Sequence, residues 1–396
     1  MKKMDIKKIK CSEIIDVRDG THDSPKYQLK GYPLVTSKNI KGNKIDFNNV
    51  NFISEEDYNK INMRSSVHNG DILMPMIGTI GNPVLVDTNE KFAIKNVALF
   101  KLSNNNKVDS KYFYYLLTSD IVKNQLENRK RGGTQNFVSL SNIRSLEIPL
   151  VAIEKQIFIS NILDKAQSLI DKRKAQIEAL DELVKSQFIE MFGDNWKEVN
   201  LIDYVWLQEG PGVRSIDFTE EGTVLLTGSN INDNEISFGY KSDRYISNEL
   251  ANGKYNHFIC DKDDVLVVSS AIAPDKFDKK VVVVKEDKKY CLNTGIIRFK
   301  PNSKYLIINY FREFLKTDFF KYQVMKEMRG IAQMHFGPSH LKNMKILLPP
   351  IELQNQFSDF VKQVDKLKFE MEKSLKELED NFNSLMQRAF KGELFN

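Results

Sequence analysis

The chain has 396 residues, 41% of them hydrophobic, which is enough for two or more domains with buried cores and excludes an intrinsically disordered chain. No apolar run approaches the roughly 20 residues of a membrane-spanning helix, and three cysteines favour a reducing cytoplasm over a disulfide framework. The net charge is +5, yet the segments Glu154 to Glu190 and Glu352 to Glu393 together hold 13 basic and 16 acidic residues, so the positive charge is concentrated in the rest of the chain.

The first 150 residues predict a mixed α and β domain. Short apolar or β-branched runs separated by Asn, Asp and Gly are typical of strands. These runs are YPLVT (32–36), DILMPMIG (71–78), PVLVD (83–87) and VALFKL (97–102), and the aromatic run KYFYYLLTSD (111–120) predicts a helix after them.

A glycine-containing loop and a long helix follow. The stretch RGGTQNFVSLSNIRSLEIPL (131–150) joins the loop to an apolar strand, and Pro149 and Gly193 mark the ends of the predicted helix. Mostly apolar positions along this helix recur at alternating steps of four and three, which is a heptad seam. The seam positions are Ala166, Ile170, Arg173, Ile177, Leu180, Val184, Gln187 and Met191.

The second half has the same order of elements. Its strand-like runs are GTVLLT (222–227), DDVLVVSS (263–270), KKVVVV (279–284) and GIIRF (295–299), followed by the aromatic run NYFREFLKTD (309–318) and by RGIAQMHFGPSHLKNMKILLPP (329–350). The seam positions of its long helix are Val364, Lys368, Met371, Leu375, Leu378, Phe382, Leu385 and Ala389.

An internal repeat explains this order. Shifting the chain by 198 positions aligns 112–192 with 310–390 without a gap, and 20 of the 81 pairs are identical. They include Tyr112/Tyr310, Gln125/Gln323, Arg131/Arg329 and Gln156/Gln354. The fronts match more loosely, so the chain is two copies of one unit with a variable front and a well-preserved back.

We therefore predict an α+β fold with two similar mixed domains, at 1–152 and 194–350, separated by two long helices, at 153–193 and 351–396. The helices, each about 57 Å long, would pair antiparallel as an intramolecular coiled coil with a pseudo-twofold axis. Pairing between two chains is the alternative. A protein twofold matches a two-part DNA site with half-sites roughly one helical turn apart, which suggests that the chain reads DNA twice.

The chain resembles the specificity (S) subunits of Type I restriction–modification systems over essentially its whole length. The resemblance rests on the order of RGGTQ, IPLVAIEKQ and SQFIEMFGD, on the second set LLPPIELQ and SLMQRAFKGEL, and on the domain openings DGTHDSPKY and WKEVNL. Each motif alone is weak, and the combination is specific.

The resemblance implies a non-catalytic subunit with no cofactor of its own. Each front would be a target recognition domain reading one half of a bipartite site in double-stranded DNA, and the helices would set the spacing and dock two methyltransferase (M) subunits. Those partners would use S-adenosylmethionine to methylate adenine N6. Two restriction (R) subunits, when present, would use ATP and Mg²⁺ to translocate and cut DNA.

Candidate DNA contacts lie in loops with small polar and basic side chains. In the first half they are Thr21, His22, Ser24, Lys26, Tyr27, Lys38, Asn39, Lys41, Thr79, Arg129, Lys130, Arg131 and Gln135. In the second they are Arg214, Ser215, Ser229, Asn230, Ser269, Lys276, Arg329 and Gln333. The alternative for the Arg-Gly-x-x-Gln loops is a surface turn that only joins a helix to a strand. Because the two fronts differ in chemistry, we expect an asymmetric target.

Other functions are weighed against this one. The sequence lacks a Gly-rich cofactor loop, an Asn/Asp-Pro-Pro-aromatic motif and a phosphate-binding loop, which disfavours a stand-alone methyltransferase or ATPase. Pro274-Asp275 with Glu286-Asp287-Lys288 fits a nuclease spacing but is more simply a solvated hairpin end, and His257, Cys260 and Cys291 make an incomplete zinc set. A coiled-coil scaffold without a DNA role is the alternative from another class.

Overall fold

The computed structural model describes residues 7–78, 80–128, 137–193, 196–239, 241–327 and 333–394. The chain divides into two compact units, one formed by Met1–Ala175 with Glu372–Asn396 and the other by Gln176–Met371. Each unit therefore contains one predicted domain with part of each long helix. Among the described residues, no helix is long and apolar enough to cross a membrane.

The first unit is built on a four-stranded sheet. In chain order the elements are β1 (Lys7–Lys10), β2 (Asp16–Asp19), β3 (Tyr32–Val35), β4 (Ile40–Lys41), β5 (Lys44–Ile45), β6 (Asn51–Ile53), α1 (Glu55–Ser65), β7 (Ile72–Pro75), β8 (Val84–Leu85), β9 (Ala93–Ile94), β10 (Val97–Lys101), α2 (Ser110–Thr118), α3 (Asp120–Glu127), α4 (Leu140–Arg144), β11 (Glu147–Leu150) and α5 (Ile153–Phe192). The main sheet has the order β2-β10-β7-β8 and is antiparallel. A three-stranded sheet, β6-β3-β9, and the pair β1-β11 complete the strand framework.

The second unit repeats these sheets. Its elements are β12 (Glu198–Asn200), β13 (Val205–Glu209), β14 (Phe218–Thr219), β15 (Thr223–Leu226), β16 (Ile231–Asn232), β17 (Glu235–Ile236), β18 (Arg244–Ile246), α6 (Asn248–Asn252), β19 (Val265–Val268), β20 (Ser270–Ile272), β21 (Val281–Val283), β22 (Tyr290–Leu292), β23 (Ile296–Pro301), α7 (Ile308–Lys316), α8 (Asp318–Glu327), β24 (Met334–His335), α9 (Pro338–Leu341), β25 (Lys345–Leu347) and α10 (Ile351–Lys391). The sheet β13-β23-β19-β21 corresponds to β2-β10-β7-β8, and the pair β12-β25 to β1-β11. The parallel pair β15-β22 corresponds to β3-β9.

The main sheet of the first unit is buried on both faces, which is why its strands read as continuous apolar runs. Phe100 belongs to the core under α2 and packs edge-on against Phe113, with ring centroids 5.2 Å apart. Its neighbour Leu99 lies in a separate cluster on the other face with Leu73. The predicted strand runs and aromatic helices of both halves are confirmed as β3, β7, β8, β10 and α2, and as β15, β19, β21, β23 and α7.

Several repeated residues have the same framework role in both units. Gln156 and Gln354 are fully buried near the starts of α5 and α10, and each side chain accepts a hydrogen bond from a backbone N–H, of Asp109 or Ile307. Each also donates to two backbone carbonyls. Buried polar groups of this kind are costly to leave unpaired, so their identity in the two copies follows from the fold.

Tyr and Gln pairs from the repeat fix the last strand of each domain in the same way. The hydroxyl of Tyr112 donates to the Pro149 carbonyl at 2.9 Å, and the hydroxyl of Tyr310 donates to Leu347 at the same distance. Gln125 exchanges two hydrogen bonds with the backbone of Glu147, and Gln323 does so with Lys345. The repeat thus preserves the residues that hold the back of each domain together.

The two long helices pair antiparallel within each unit. In the first unit Leu163, near the start of α5, shares a core with Phe390, near the end of α10, while Lys174 pairs with Glu379 at 2.8 Å. In the second unit Lys368 pairs with Asp181 at 2.8 Å. The predicted intramolecular pairing is confirmed, and every predicted seam residue is buried or half-buried. α5 ends at Phe192, so Gly193 follows it as predicted, and α10 ends at Lys391, directly before Gly392.

Candidate nucleic-acid interface

Four separate segments of the first domain meet at one end of its main sheet. Asn96 N–H donates to the carbonyl of Thr21 at 3.2 Å, Met76 N–H to Asn96 at 3.4 Å, and Val138 N–H to Met76 at 3.0 Å. This row joins the loop after β2, the β9–β10 link, the end of β7 and the segment that follows the Arg-Gly loop. We call this end of the sheet the recognition edge of the domain.

The second domain has the same recognition edge. Thr294 N–H donates to the Pro211 carbonyl at 2.9 Å, Ser269 N–H to Gly295 at 2.7 Å, and Phe336 N–H to Ser269 at 2.9 Å. The segments correspond one by one to those of the first domain. Segments that are distant in sequence are therefore joined by backbone hydrogen bonds in both domains, which sequence spacing alone does not reveal.

Two positions on each edge have a left-handed backbone. Asn96 (φ 56°) corresponds to Gly295 (φ 81°), and Gly78 (φ 79°) corresponds to Ala271 (φ 57°). Glycine adopts this conformation without strain and asparagine tolerates it, whereas alanine is strained there. Because both domains keep the conformation even where the residue is not glycine, the local geometry of the edge is fixed by the surrounding structure.

The loop that begins at Gly20 is held against the β9–β10 link. His22 contacts Asn96 Oδ1 through Nδ1 at 2.8 Å and Asp19 Oδ2 through Nε2 at 2.9 Å, and Lys95 Nζ donates to Ser24 Oγ at 2.6 Å. The hydrogen bonds to Asn96 and then to Asp19 raise the pKa of His22, because the imidazolium can donate to both oxygens. Both ring nitrogens of His22 are therefore engaged within the chain, although the side chain is exposed, and its DNA contact stays a prediction.

Like His22 and Ser24, five more first-half candidates lie on accessible surface. Lys26, Tyr27 and Lys38 are exposed, and Thr21 is half-buried at the base of the loop. Lys41 is exposed but forms an ion pair with Asp46 at 2.6 Å. Exposed lysine and tyrosine side chains suit contacts with phosphates and base edges.

The structure argues against the predicted DNA contacts of Asn39 and Asn230. Both are buried, and each side-chain oxygen accepts hydrogen bonds from the backbone N–H and hydroxyl of the threonine three residues earlier. The Asn39 amide donates to the Asn49 carbonyl at 2.9 Å, and that of Asn230 to Asp243 at 2.8 Å. These side chains close a turn within the domain, which argues against direct contact with bases.

The remaining second-half candidates divide between surface and core. Arg214, Ser215 and Lys276 are exposed. Ser229 is exposed too, and its hydroxyl lies 2.7 Å from that of Thr227. Ser269 is only 2% exposed and its hydroxyl has no hydrogen-bond partner, so the structure places this side chain behind the recognition edge.

The Arg-Gly loops contain most of the remaining candidates. Thr79, Arg129, Lys130, Arg131, Gln135 and Arg329 lie outside the described residues, and their DNA contacts stay predictions. Gln333 is described and exposed, and it directly precedes β24.

Sequence reasoning missed several residues of the edge. Lys95 and Asn96 hold the first loop, and Phe137 and His335 occupy equivalent places directly after the two Arg-Gly loops. The sequence did contain one sign of Phe137 and His335. The two residues align at the 198-residue shift, next to the repeated Arg-Gly-x-x-Gln motif, yet their side chains differ.

The alternative catalytic and metal sites receive no support from the described residues. Among them, no group of three or more His, Cys, Asp or Glu side chains is placed to hold a metal ion. Glu286 of the nuclease-like spacing pairs with Lys289 at 2.8 Å. Burial raises the pKa of both Cys260 and Cys291, so each thiol is held in its protonated form within the core.

Comparisons with known proteins agree with this geometry. The family model described as the Type I restriction modification DNA specificity domain matches residues 3–179 and 193–380. The chain is 24% identical to the MjaVIII specificity subunit of Methanocaldococcus jannaschii, over 83% of this chain and 80% of that protein. It is 21% identical to the EcoBI specificity subunit of Escherichia coli, over 73% of this chain and 66% of that protein.

Solved structures show the same fold. A structure described as the basis of complex assembly and conformational transition of the type I R-M system aligns with a TM-score of 0.59 and 18% identity, covering 98% of both chains. The S subunit of a Type I restriction-modification system from M. genitalium aligns with a TM-score of 0.52 and 16% identity, over 98% of this chain and 96% of that one.

Proposed function

Because this chain belongs to the specificity-subunit family of Type I restriction–modification systems, we propose that each of its domains reads one part of a two-part DNA target. Recognition of DNA targets is the function of the family's specificity domain, and the chain carries two such domains. The observation that carries the proposal is the recognition edge. The same four segments converge in both domains, on a backbone ladder that is nearly identical and with side chains that differ.

The target is asymmetric on this proposal. The loop of the first edge presents Lys26 and Tyr27, whereas the loop of the second presents Arg214 and Ser215. Side chains of different chemistry select different base edges, while a shared backbone gives both domains the same approach to the duplex. An asymmetric target is therefore expected from a chain whose framework is repeated.

Catalysis belongs to partner subunits in this proposal. Two methyltransferase subunits would bind S-adenosylmethionine and methylate adenine N6, and restriction subunits, when present, would use ATP and Mg²⁺. The family supports this division, since the relatives are themselves named as specificity subunits of restriction enzymes. A cytoplasmic location goes with the proposal because the DNA target and the methyl donor are found there.

A matched pair of exposed leucines supports the docking of two identical partners. Leu169 on α5 is 54% exposed and Leu367 on α10 is 46% exposed, and the two are equivalent in the 198-residue repeat. Changing both to glutamate should weaken methyltransferase binding without unfolding the chain, whereas Ser168→Glu, at an exposed neighbouring position, should not. Unchanged complex formation by the leucine variants would place the docking surface elsewhere.

The decisive experiment is base-resolution methylation mapping. DNA from cells that express this chain with its candidate methyltransferase is compared with DNA from cells that lack only this chain. Chain-dependent N6-methyladenine at an asymmetric two-part motif is the expected result. No chain-dependent methylation, with both proteins shown to be expressed and associated, would contradict the proposal and favour the scaffold alternative.

Exchange of one domain tests the modular part of the proposal. Replacing residues 1–152 with the corresponding segment of another specificity subunit should change one half of the methylated motif and leave the other unchanged. A change in both halves would contradict independent reading by the two domains.

A further inference from the structure

The two recognition edges carry different side chains at one matched position. In the first domain Ile77 and Phe137 face each other across an antiparallel bridge, and in the second Ser270 and His335 do so. We call these the edge pairs. The match is set by the backbone: Val138 donates to Met76 beside the first pair, and Phe336 donates to Ser269 beside the second.

The edge pairs differ in kind. Phe137 is 42% exposed and Ile77 is half-buried, so the first pair presents an apolar surface. His335 is exposed and its Nδ1 lies 2.9 Å from the Ser270 hydroxyl, so the second pair is polar. The exposed part of the Phe137 ring gains no hydrophobic stabilisation in water. Contact with an apolar group of a ligand would bury that surface and stabilise the complex.

The position of the edge pairs favours contact with DNA. Phe137 lies two residues after Gln135 of the first Arg-Gly-x-x-Gln motif, and His335 lies two residues after Gln333 of the second. The left-handed residues Gly78 and Ala271 come immediately after Ile77 and Ser270 and turn the chain at the same point in both domains. Local backbone strain retained at a surface position, as at Ala271, is typical of functional sites.

We propose that the edge pairs are specificity-determining contacts: Phe137 with Ile77 reads the 5-methyl group of a thymine in one half-site, and His335 with Ser270 reads the hydrogen-bonding edge of a purine in the other. Apolar side chains select thymine through its methyl group, and polar side chains bond to purine N7 and its exocyclic group in the major groove. This inference rests on the proposed function and names the base chemistry of its two halves.

Base analogues test the apolar pair without altering the protein. The complex of the full chain with its methyltransferase is titrated against the mapped target, with deoxyuridine replacing each thymine of the half-site that the first domain reads. Uracil lacks only the methyl group, and loss of one buried methyl contact should weaken binding about fourfold at one position. Phe137→Ala should abolish that sensitivity, and Phe137→Leu should retain it.

The polar pair is tested in parallel with 7-deazapurines in the other half-site. One substitution should weaken binding of the wild-type complex, and the double change His335→Phe with Ser270→Ile should remove that effect while the other half-site is read as before. Both histidine and phenylalanine are exposed in their domains, so these variants are expected to fold, and unchanged reading of the opposite half-site confirms it.

The outcomes separate the inference from the function on which it rests. If the wild-type complex has no two-part target, the proposed function fails. If it has one, but no thymine is sensitive to uracil or the sensitivity survives in Phe137→Ala, the apolar contact is refuted. Likewise, 7-deazapurine effects that are absent, or unchanged in the double variant, refute the polar contact.

Discussion

Replacing Asn39 with alanine separates a structural role from a DNA contact. The side chain accepts hydrogen bonds from the Thr36 N–H at 3.0 Å and the Thr36 hydroxyl at 2.9 Å, and donates to the Asn49 carbonyl at 2.9 Å. Alanine would leave the Thr36 N–H and the Asn49 carbonyl without these partners. At about 1–3 kcal/mol for each unsatisfied group, and with both only partly shielded from water, we expect a loss of about 2–4 kcal/mol in the stability of the first unit.

Differential scanning calorimetry measures this loss. For a unit of about 200 residues, 1 kcal/mol lowers Tm by about 2–4 °C, so the first-unit transition should fall by roughly 4–16 °C. Asn230→Ala should lower the transition of the second unit in the same way and thereby assign the two transitions. Lys38→Ala, at an exposed neighbouring position, should leave both Tm values unchanged and weaken DNA binding. An Asn39→Ala protein with unchanged Tm and lost DNA binding would refute the structural role.

Three further predictions concern the helix start, the first loop and the Arg-Gly loop. Gln354→Ala should lower the Tm of the second unit by several degrees because three backbone groups lose their buried partner, while Gln356→Ala, exposed on the same helix, should not. The raised pKa of His22 means that its contribution to loop stability is complete below its ordinary pKa of about 6.5 and is lost as the pH rises through the folded-state value; an NMR titration with a midpoint at or below 6.5 would contradict this. Arg131→Ala should weaken duplex binding and reduce the slope of log K against log salt by about one, and an unchanged slope would remove this side chain from the phosphate contacts.

The sequence by itself indicated two repeated domains of mixed α and β structure and two long helices with a buried seam, and it favoured pairing of the helices within the chain. Repeated residues such as Gln156 and Gln354 satisfy buried backbone groups, and such groups tolerate few substitutions, so the repeat remains visible at a shift of 198. Helix ends were equally predictable, because Gly392 adopts a left-handed conformation (φ 77°) that stops α10. Heptad spacing predicted the buried seam, since only one stripe of a long helix can face its partner.

Only the tertiary structure decided which polar loop residues face the solvent. Asn39 and its neighbour Lys38 are equally plausible DNA contacts in the sequence, yet the turn buries the amide and exposes the lysine. The recognition edge was also beyond sequence reasoning, because its row of hydrogen bonds joins Thr21, Asn96 and Val138, which are far apart in the chain. Periodicity and spacing report on neighbours within one element, whereas contacts between loops depend on how the strands that carry them pair.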